Sequence, residues 1–342
     1  MKRSRFVRRW LPPVIGLSLT VAYVGATKLE RRRMETATLQ PAPATTPAAH
    51  RIDADRLFGT VQALSAPEME GRQTGTPGNH RAQAFILARF RQLNLQPLGA
   101  GHEQRFSFVH RSIIGTVMPG RPATRPYPDA TNLIAIVRGT AQPDAFLVVS
   151  AHYDHLGVRE GRTFPGADDN ASGVAAMLET AAYVAAHPLR HSVVFVAFDA
   201  EEQGLQGSRY FVAHPPIPLD RVRLVINLDM VSRSDSGSIV ASGTWSDPAL
   251  KSLVLKAAGG RRLSVAFGHD RPMYLAGGIE DWTHQSDQGP FHDAGVRTLY
   301  YGVEDHDDYH QPTDTADKIP RPFFNEVAEL VVQTVLDADG GV

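Results

Sequence analysis

The 342-residue chain contains no cysteine. That excludes disulfide staples, thiolate nucleophiles and cysteine-ligated zinc, so any metal must be held by His, Asp and Glu. Neither sign of charge dominates. Against 36 Asp and Glu stand 35 Lys and Arg, a formal net charge of −1. Such a balance gives no overall field to recruit nucleic acid or an anionic lipid surface. Function must therefore reside in a local site. The hydrophobic fraction of 42% is enough to fill the core of one large α/β domain or two small ones around it.

The first residues do not read as globular structure. Lys2, Arg3, Arg5, Arg8 and Arg9 precede an uncharged apolar stretch from Trp10 to Ala26, the pattern of an export signal. Val24-Gly25-Ala26 fits a small-residue cleavage site, while the stretch also reaches the lower limit of about 17 residues for a membrane span. Removal as a signal peptide and retention as an inner-membrane tether both stay open for residues 1–27. Either way the protein is expected to be exported, periplasmic or extracellular. From Lys28 to Arg51 the chain passes through Arg31-Arg32-Arg33 and Pro41-Ala42-Pro43 with little that can pack, and it reads as a flexible linker. Residues 52–342 read as the folded, catalytic domain.

Helical patterns follow at Asp55–Ser65 and Asn79–Leu93, the latter with an apolar face of Ala82, Phe85, Ile86, Ala88 and Phe90. From Asn132 onward, short β-like runs (133–137, 146–150, 192–198, 224–228) alternate with helical stretches such as 171–186. Later come a strand at 238–241, a helix at 248–258, a strand at 298–301 and a closing helix at 322–336. The expected fold is α/β: a single three-layer αβα domain with a mostly parallel mixed central sheet.

In such a sheet the ligand site lies beyond the carboxyl ends of the strands, and there the residues are unusual. Phe146-Leu147-Val148-Val149-Ser150 runs into Ala151-His152-Tyr153-Asp154, an imidazole with a carboxylate two positions on. Asp154 can fix the tautomer of a metal-bound His152, although a lone His-x-Asp is equally a surface pair. Gly166-Ala167-Asp168-Asp169-Asn170-Ala171-Ser172-Gly173 places two carboxylates at a helix start. Helix capping explains one of them but not the pair. A buried-type strand at 192–198 ends in Asp199-Ala200-Glu201-Glu202, where one glutamate can bind a metal and its neighbour can take a proton. Leu224-Val225-Ile226-Asn227-Leu228-Asp229 again ends in an acid. The loop Asp305-His306-Asp307-Asp308-Tyr309-His310-Gln311-Pro312-Thr313-Asp314-Thr315 is too rich in His and Asp for an ordinary connection.

These five motifs, in this order, resemble the secreted di-zinc aminopeptidase family, the relatives of glutamate carboxypeptidases, glutaminyl cyclases and the transferrin-receptor ectodomain. The resemblance spans about residues 57–336. It implies a zinc-exopeptidase fold and two zinc ions per chain, one held by His152 and Asp229, the other by Glu202 and His310, with Asp169 bridging. It further implies Glu201 as general base, Asp154 orienting His152, Asp168 as a structural neighbour, and a cis peptide at Asp169–Asn170. Ser286-Asp287-Gln288-Gly289-Pro290-Phe291 resembles the family's pocket-lining segment, which makes Asp287 and Phe291 candidate pocket residues. Tyr309 is a candidate oxyanion donor. Asp305, Asp307 and Asp308 are candidates to hold a substrate ammonium.

The implied reaction is hydrolysis of N-terminal residues from peptides. A dipeptidase, a carboxypeptidase or a glutaminyl cyclase uses nearly the same framework. A carboxypeptidase needs a cation for the free carboxylate, for which Arg209, Arg271 and Arg297 are available. A receptor-like binding domain that has lost catalysis is the alternative outside enzymes.

Overall fold

The computed structural model describes residues 35–38, 50–111, 124–272, 274–276 and 278–341. The segment read as an export signal or tether, and most of the one read as a linker, lie outside them. Among the described residues no helix is long and apolar enough to cross a membrane.

In chain order the elements are β1 (Glu35–Thr38), α1 (Ala54–Leu64), α2 (Pro77–Gln92), β2 (Glu103–Arg111), β3 (Thr124–Val137), β4 (Gln142–His152), the short hairpin β5 (Gly157–Arg159) and β6 (Arg162–Phe164), α3 (Gly173–Ala186), β7 (His191–Phe198), α4 (Gln206–Ala213), β8 (Val222–Leu228), β9 (Ser238–Ser242), α5 (Pro248–Ala258), β10 (Ser264–Phe267), α6 (Gln288–Asp293), β11 (Thr298–Gly302) and α7 (Arg321–Gly341). The helix starts follow local chemistry. The Asp53 carboxylate accepts the Asp55 and Arg56 N–H groups ahead of α1, and the Thr76 hydroxyl accepts the Asn79 N–H ahead of α2, whose first residue is a proline.

Apart from the hairpin, the strands form one sheet in the order β1-β10-β9-β11-β8-β4-β7-β3-β2. Its centre, β11-β8-β4-β7, is parallel. Antiparallel β3 and β2 extend one side and antiparallel β9 the other. This is the expected α/β fold, with a core on each face of a mixed sheet.

The continuous apolar runs of the central strands follow from that double coverage. In β7, Val193, Phe195 and Ala197 enter the larger core with residues of α1, α3, α5 and α7. Val194, Val196 and Phe198 enter the smaller one with Phe211 of α4 and Phe291 of α6. Period-two alternation sends side chains to opposite faces, and both faces are dry. Each fully buried Val, Leu or Phe contributes about 1.5–3 kcal/mol. The parallel register therefore holds the strand ends firmly, with His152 of β4 opposite Phe198 of β7.

Two readings of the sequence change here. Four residues inside the segment read as a linker, Glu35–Thr38, pair antiparallel with β10 as an edge strand. Phe291 does not line a pocket. It is fully buried on the inner side of α6, 5.5 Å from the ring of Phe211 and 6.2 Å from that of Phe198.

Candidate metal centre

The carboxyl ends of the central strands deliver polar groups to the same place. His152 closes β4, Glu201 and Glu202 follow β7, Asp229 follows β8, and His310 lies in the loop after β11. The chain reverses sharply as it brings them in: Ala200, Met230 and His310 all hold left-handed backbone, with φ of 59°, 56° and 55°. A side chain there costs on the order of 1–2 kcal/mol relative to ordinary backbone.

Asp169 reaches the cluster from the turn before α3. Its peptide bond to Asn170 is cis. Three polar side chains, Asn170, Asp314 and Asp168, lock that turn. Asn170 donates from Nδ2 to the Leu228 carbonyl at 2.9 Å and accepts the Met230 N–H at 3.2 Å, stapling the turn to the end of β8 beside Asp229. The Asp314 carboxylate accepts the N–H groups of Asp168 and Asp169 at 3.0–3.1 Å. Asp168, fully buried, accepts from the Ser232 N–H and hydroxyl at 2.8 and 2.6 Å and lies 3.1 Å from His306 Nε2.

Asp169 sits at the middle, and its two oxygens face different partners. Oδ1 is 3.4 Å from His152 Nε2, which is itself 3.1 Å from Asp229 Oδ1. Oδ2 is 3.1 Å from His310 Nε2 and 3.5 Å from His155 Nδ1. Glu202 Oε1 lies 2.8 Å from His155 Nδ1 and 3.5 Å from His310 Nε2. The structure thus brings His152, Asp169, Glu202, Asp229 and His310 together, and it adds His155, a residue that the sequence reading passed over. Its signal was present in the same run, His152-Tyr153-Asp154-His155.

Asp154 acts differently from expectation. The His152 Nδ1 contact, at 3.1 Å, is to the Asp154 backbone carbonyl, while the carboxylate oxygen is 3.8 Å away. That carboxylate instead accepts the N–H groups of Glu201 and Glu202 at 3.0 and 3.3 Å, aiming the turn that carries both glutamates. Asp308 is not free to hold an ammonium group, because Arg233 at 2.5 Å, Lys318 at 2.6 Å and the Thr313 hydroxyl already occupy it. Asp305 and Asp307 are exposed. The Tyr309 ring stacks on His310 with centroids 3.9 Å apart. Asp287 is fully buried, with no hydrogen-bond partner on either oxygen.

Arg72 also escaped the sequence reading. It is fully buried and donates to the carbonyls of Tyr153, Leu64, Pro165 and Gly166 at 2.8, 2.6, 2.6 and 2.9 Å. Gly166, at φ 58°, is held so closely that a Cβ would stand 2.0 Å from the Asp169 carbonyl oxygen.

Imidazoles and carboxylates shift one another's proton affinities across the cluster. Burial pushes the Asp169 carboxyl up, but His155, His152 and His310 outweigh it and hold the group well below the usual range. Burial and Asp169 raise Glu202, yet His155 and His310 bring it to about 2. Burial opposes charge on His152, and Asp229, Glu201 and Asp169 more than reverse this. Glu201 departs from the pattern: burial, with Asp229 and Glu202 nearby, pushes its carboxyl well up despite His152. Burial likewise lifts Asp287 to about 7.

A metal fits this donor set on independent grounds. Donors bound tetrahedrally to zinc at about 2.0–2.1 Å stand about 3.3–3.4 Å apart, close to the spacings around both oxygens of Asp169. Moreover, His155 Nδ1, His155 Nε2 and Glu202 Oε1 are buried without a hydrogen-bond partner. Native interiors rarely leave such atoms unsatisfied.

A mixed αβα sheet with imidazoles and carboxylates converging beyond the ends of its parallel strands defines an α/β protein with a candidate metal site. The chain belongs to peptidase family M28, whose sequence model matches residues 132–335. It is 31% identical over 217 residues to aminopeptidase YwaD of Bacillus subtilis, covering 60% of this chain and 44% of that one. It is 30% identical over 227 residues to a probable zinc metalloprotease of Leptosphaeria maculans, covering 63% and 48%. The chain thus spans less than half the length of these relatives. Among solved structures, Porphyromonas gingivalis glutaminyl cyclase superposes with a TM-score of 0.67 at 21% identity, over 85% of this chain and all of that one. That likeness concerns the fold.

Proposed function

We propose that this chain is a metal-dependent exopeptidase that removes N-terminal residues from peptides, with two zinc ions sharing Asp169. The observation that carries this reading is the division of the Asp169 carboxylate, Oδ1 toward His152 and Asp229, Oδ2 toward Glu202 and His310. Bound zinc would polarise the scissile carbonyl and acidify a water molecule. Glu201 takes the proton of that water and returns it to the leaving amine nitrogen. Its backbone is fixed by Asp154, and its buried setting raises its basicity toward the range a general base needs. Tyr309 keeps its proton, because burial and Asp169 raise its pKa, and it can donate to the developing oxyanion.

The rim supports a free amine over a free carboxylate. Partial burial of the Asp305 carboxyl, and then the charges of Glu280 and Glu304, raise its pKa. The arginines considered for a carboxylate pocket are engaged elsewhere: Arg297 with Asp247 at 2.6 Å and Arg209 with the Gly204 carbonyl at 3.1 Å. Arg271 lines a separate surface cavity beside Trp245. Relatives named aminopeptidase agree with this choice.

The test is metal content together with turnover on aminoacyl anilides, their N-blocked forms and an N-terminal glutaminyl peptide. Zinc binding with cleavage of only the free-amine anilides is expected. Cyclisation of the glutaminyl peptide without anilide cleavage would replace this reading with a cyclase, and cleavage of blocked substrates would replace it with a carboxypeptidase or endopeptidase. Export of the chain through residues 1–27 is part of the same proposal. It is checked by the mass of the mature N-terminus and by fractionation of the producing cell.

A further inference from the structure

His155 has no place in the ligand set proposed above. Its side chain is fully buried against the metal cluster, across from His310, with ring centroids 5.8 Å apart. Among the described residues neither ring nitrogen makes an aligned hydrogen bond, although Nδ1 lies 2.8 Å from Glu202 Oε1 and 3.5 Å from Asp169 Oδ2. Close approach without hydrogen-bond alignment means that these donor atoms point at a shared space and not at one another. An orphaned buried polar group costs about 1–3 kcal/mol, a penalty that a bound cation would remove.

The ring packs on Gly166, where a Cβ would stand 2.6 Å from its Cγ and Cδ2 atoms, and Nδ1, bonded to that Cγ, lies on the side of the cluster. Donor atoms of His155, Asp169 and Glu202 all lie within 4.8 Å of one another, His155 at 2.8 Å from Glu202 and 3.5 Å from Asp169, and His310 lies 3.1 Å from Asp169 and 3.5 Å from Glu202. The separations made by the two imidazoles straddle the edge of about 3.3–3.4 Å expected of a tetrahedral zinc shell.

We propose that His155 Nδ1 is a fourth protein ligand of the ion held by Asp169, Glu202 and His310. Resting on the di-metal reading above, this makes the two positions unequal. One is closed by two imidazoles and two carboxylates, as in a structural zinc site. The other, at His152, Asp169 and Asp229, keeps three protein ligands and an open coordination position, as in a catalytic one. The closed position retains its ion tightly, and the open one exchanges.

The experiment uses the full chain stripped of metal and titrated with zinc against a chromogenic chelator, comparing wild type with His155→Phe and His155→Gln. Wild type is expected to take two ions of distinct affinity, and both variants to weaken the tighter one at least tenfold while leaving the other within twofold. Variants that fold and keep both affinities would overturn the assignment.

A second measurement needs no variant. In wild type loaded with cadmium-113 and labelled with nitrogen-15 histidine, one ion should couple to two imidazoles and the other to one. A single imidazole on each ion overturns the proposal, even if the peptidase reading stands. Two imidazoles on one ion with no cleavage of any substrate would preserve it and sink the peptidase reading, and a chain that binds no ion overturns both.

Discussion

Replacing Arg72 with Met tests whether the metal centre depends on a buried cation that never touches it. The guanidinium gathers four carbonyls from three segments: Leu64 at the end of α1, Tyr153 between His152 and Asp154, and Pro165 and Gly166 ahead of Asp169. Burial pulls its pKa down to about 10, with Asp169, Asp314, Asp154 and Glu202 opposing that fall, so it stays charged at neutral pH. Methionine keeps an apolar stem of similar length but orphans the carbonyls. Orphaned acceptors cost about 1–3 kcal/mol each, and part of that is recovered because no guanidinium need be desolvated. The net loss expected is about 3–5 kcal/mol, the range for removing one partner of a buried charged set. Urea unfolding of the metal-free chain should show that loss, and thermal unfolding a midpoint lower by roughly 6–20 °C. Arg72→Lys, which keeps the charge but cannot fork to all four carbonyls, should fall between. Zinc affinity should drop in both variants, since Tyr153 and Gly166 adjoin the ligands. A loss below about 1 kcal/mol with unchanged zinc affinity would refute the reasoning.

Glu201→Gln should retain its metal while turnover falls by about 10²–10⁴-fold; metal analysis beside anilide kinetics checks this, and unimpaired turnover would remove Glu201 from the role of base. For pH dependence, burial pulls His310 down but hydrogen bonds to Asp169 and Glu202 push it up to about 10. A raised imidazole holds its proton below that value, so a metal binding there must displace it. Apparent zinc affinity of the metal-free chain should therefore fall about tenfold per pH unit for each proton displaced as the medium is acidified, with activity failing below about pH 6. Isothermal titration in buffers of different ionisation enthalpy measures the released proton, and pH-independent affinity would contradict the assignment. Gly166→Ala places a methyl 2.0 Å from the Asp169 carbonyl oxygen in left-handed backbone. It should cost at least about 1–3 kcal/mol and weaken zinc binding, both visible in the same unfolding and titration assays.

The central architecture was legible because β4, β7 and β8 are dry on both faces and so appear as unbroken apolar runs ending in His152, Glu201 and Asp229. Elements at the margin were not. Residues of β2, Glu103–Arg111, are largely solvent-facing at the sheet edge, and α6 spans only six residues. In β3, the expected 133–137 is only the part paired with β7; the remainder, from Thr124, extends beyond it along β2. The site divided in the same way. Side chains that meet other side chains stood out as clusters of His and Asp, whereas Arg72 contacts backbone carbonyls, which leave no trace in a sequence, and read as one more surface charge. Asp308 failed as an ammonium-binding candidate because the fold brings Arg233 from a distant segment onto a carboxylate that Lys318, ten residues on, also holds. Phe291 misled because a helix of that length shows no periodicity to tell which side faces the core.

The left-handed turns at Ala200 and Met230 bear on how this protein would respond to engineering for heat resistance. Glycine at either position would relieve backbone strain of on the order of 1–2 kcal/mol, so a search scored on melting temperature would favour it. Yet each residue precedes or follows a group of the centre by one position, Glu201 in one case and Asp229 in the other. A freer hinge there widens the range of directions in which those carboxylates point. Variants gained this way should outlast the parent at high temperature and work more slowly at every temperature, a trade set by two corners of the chain and not by the core.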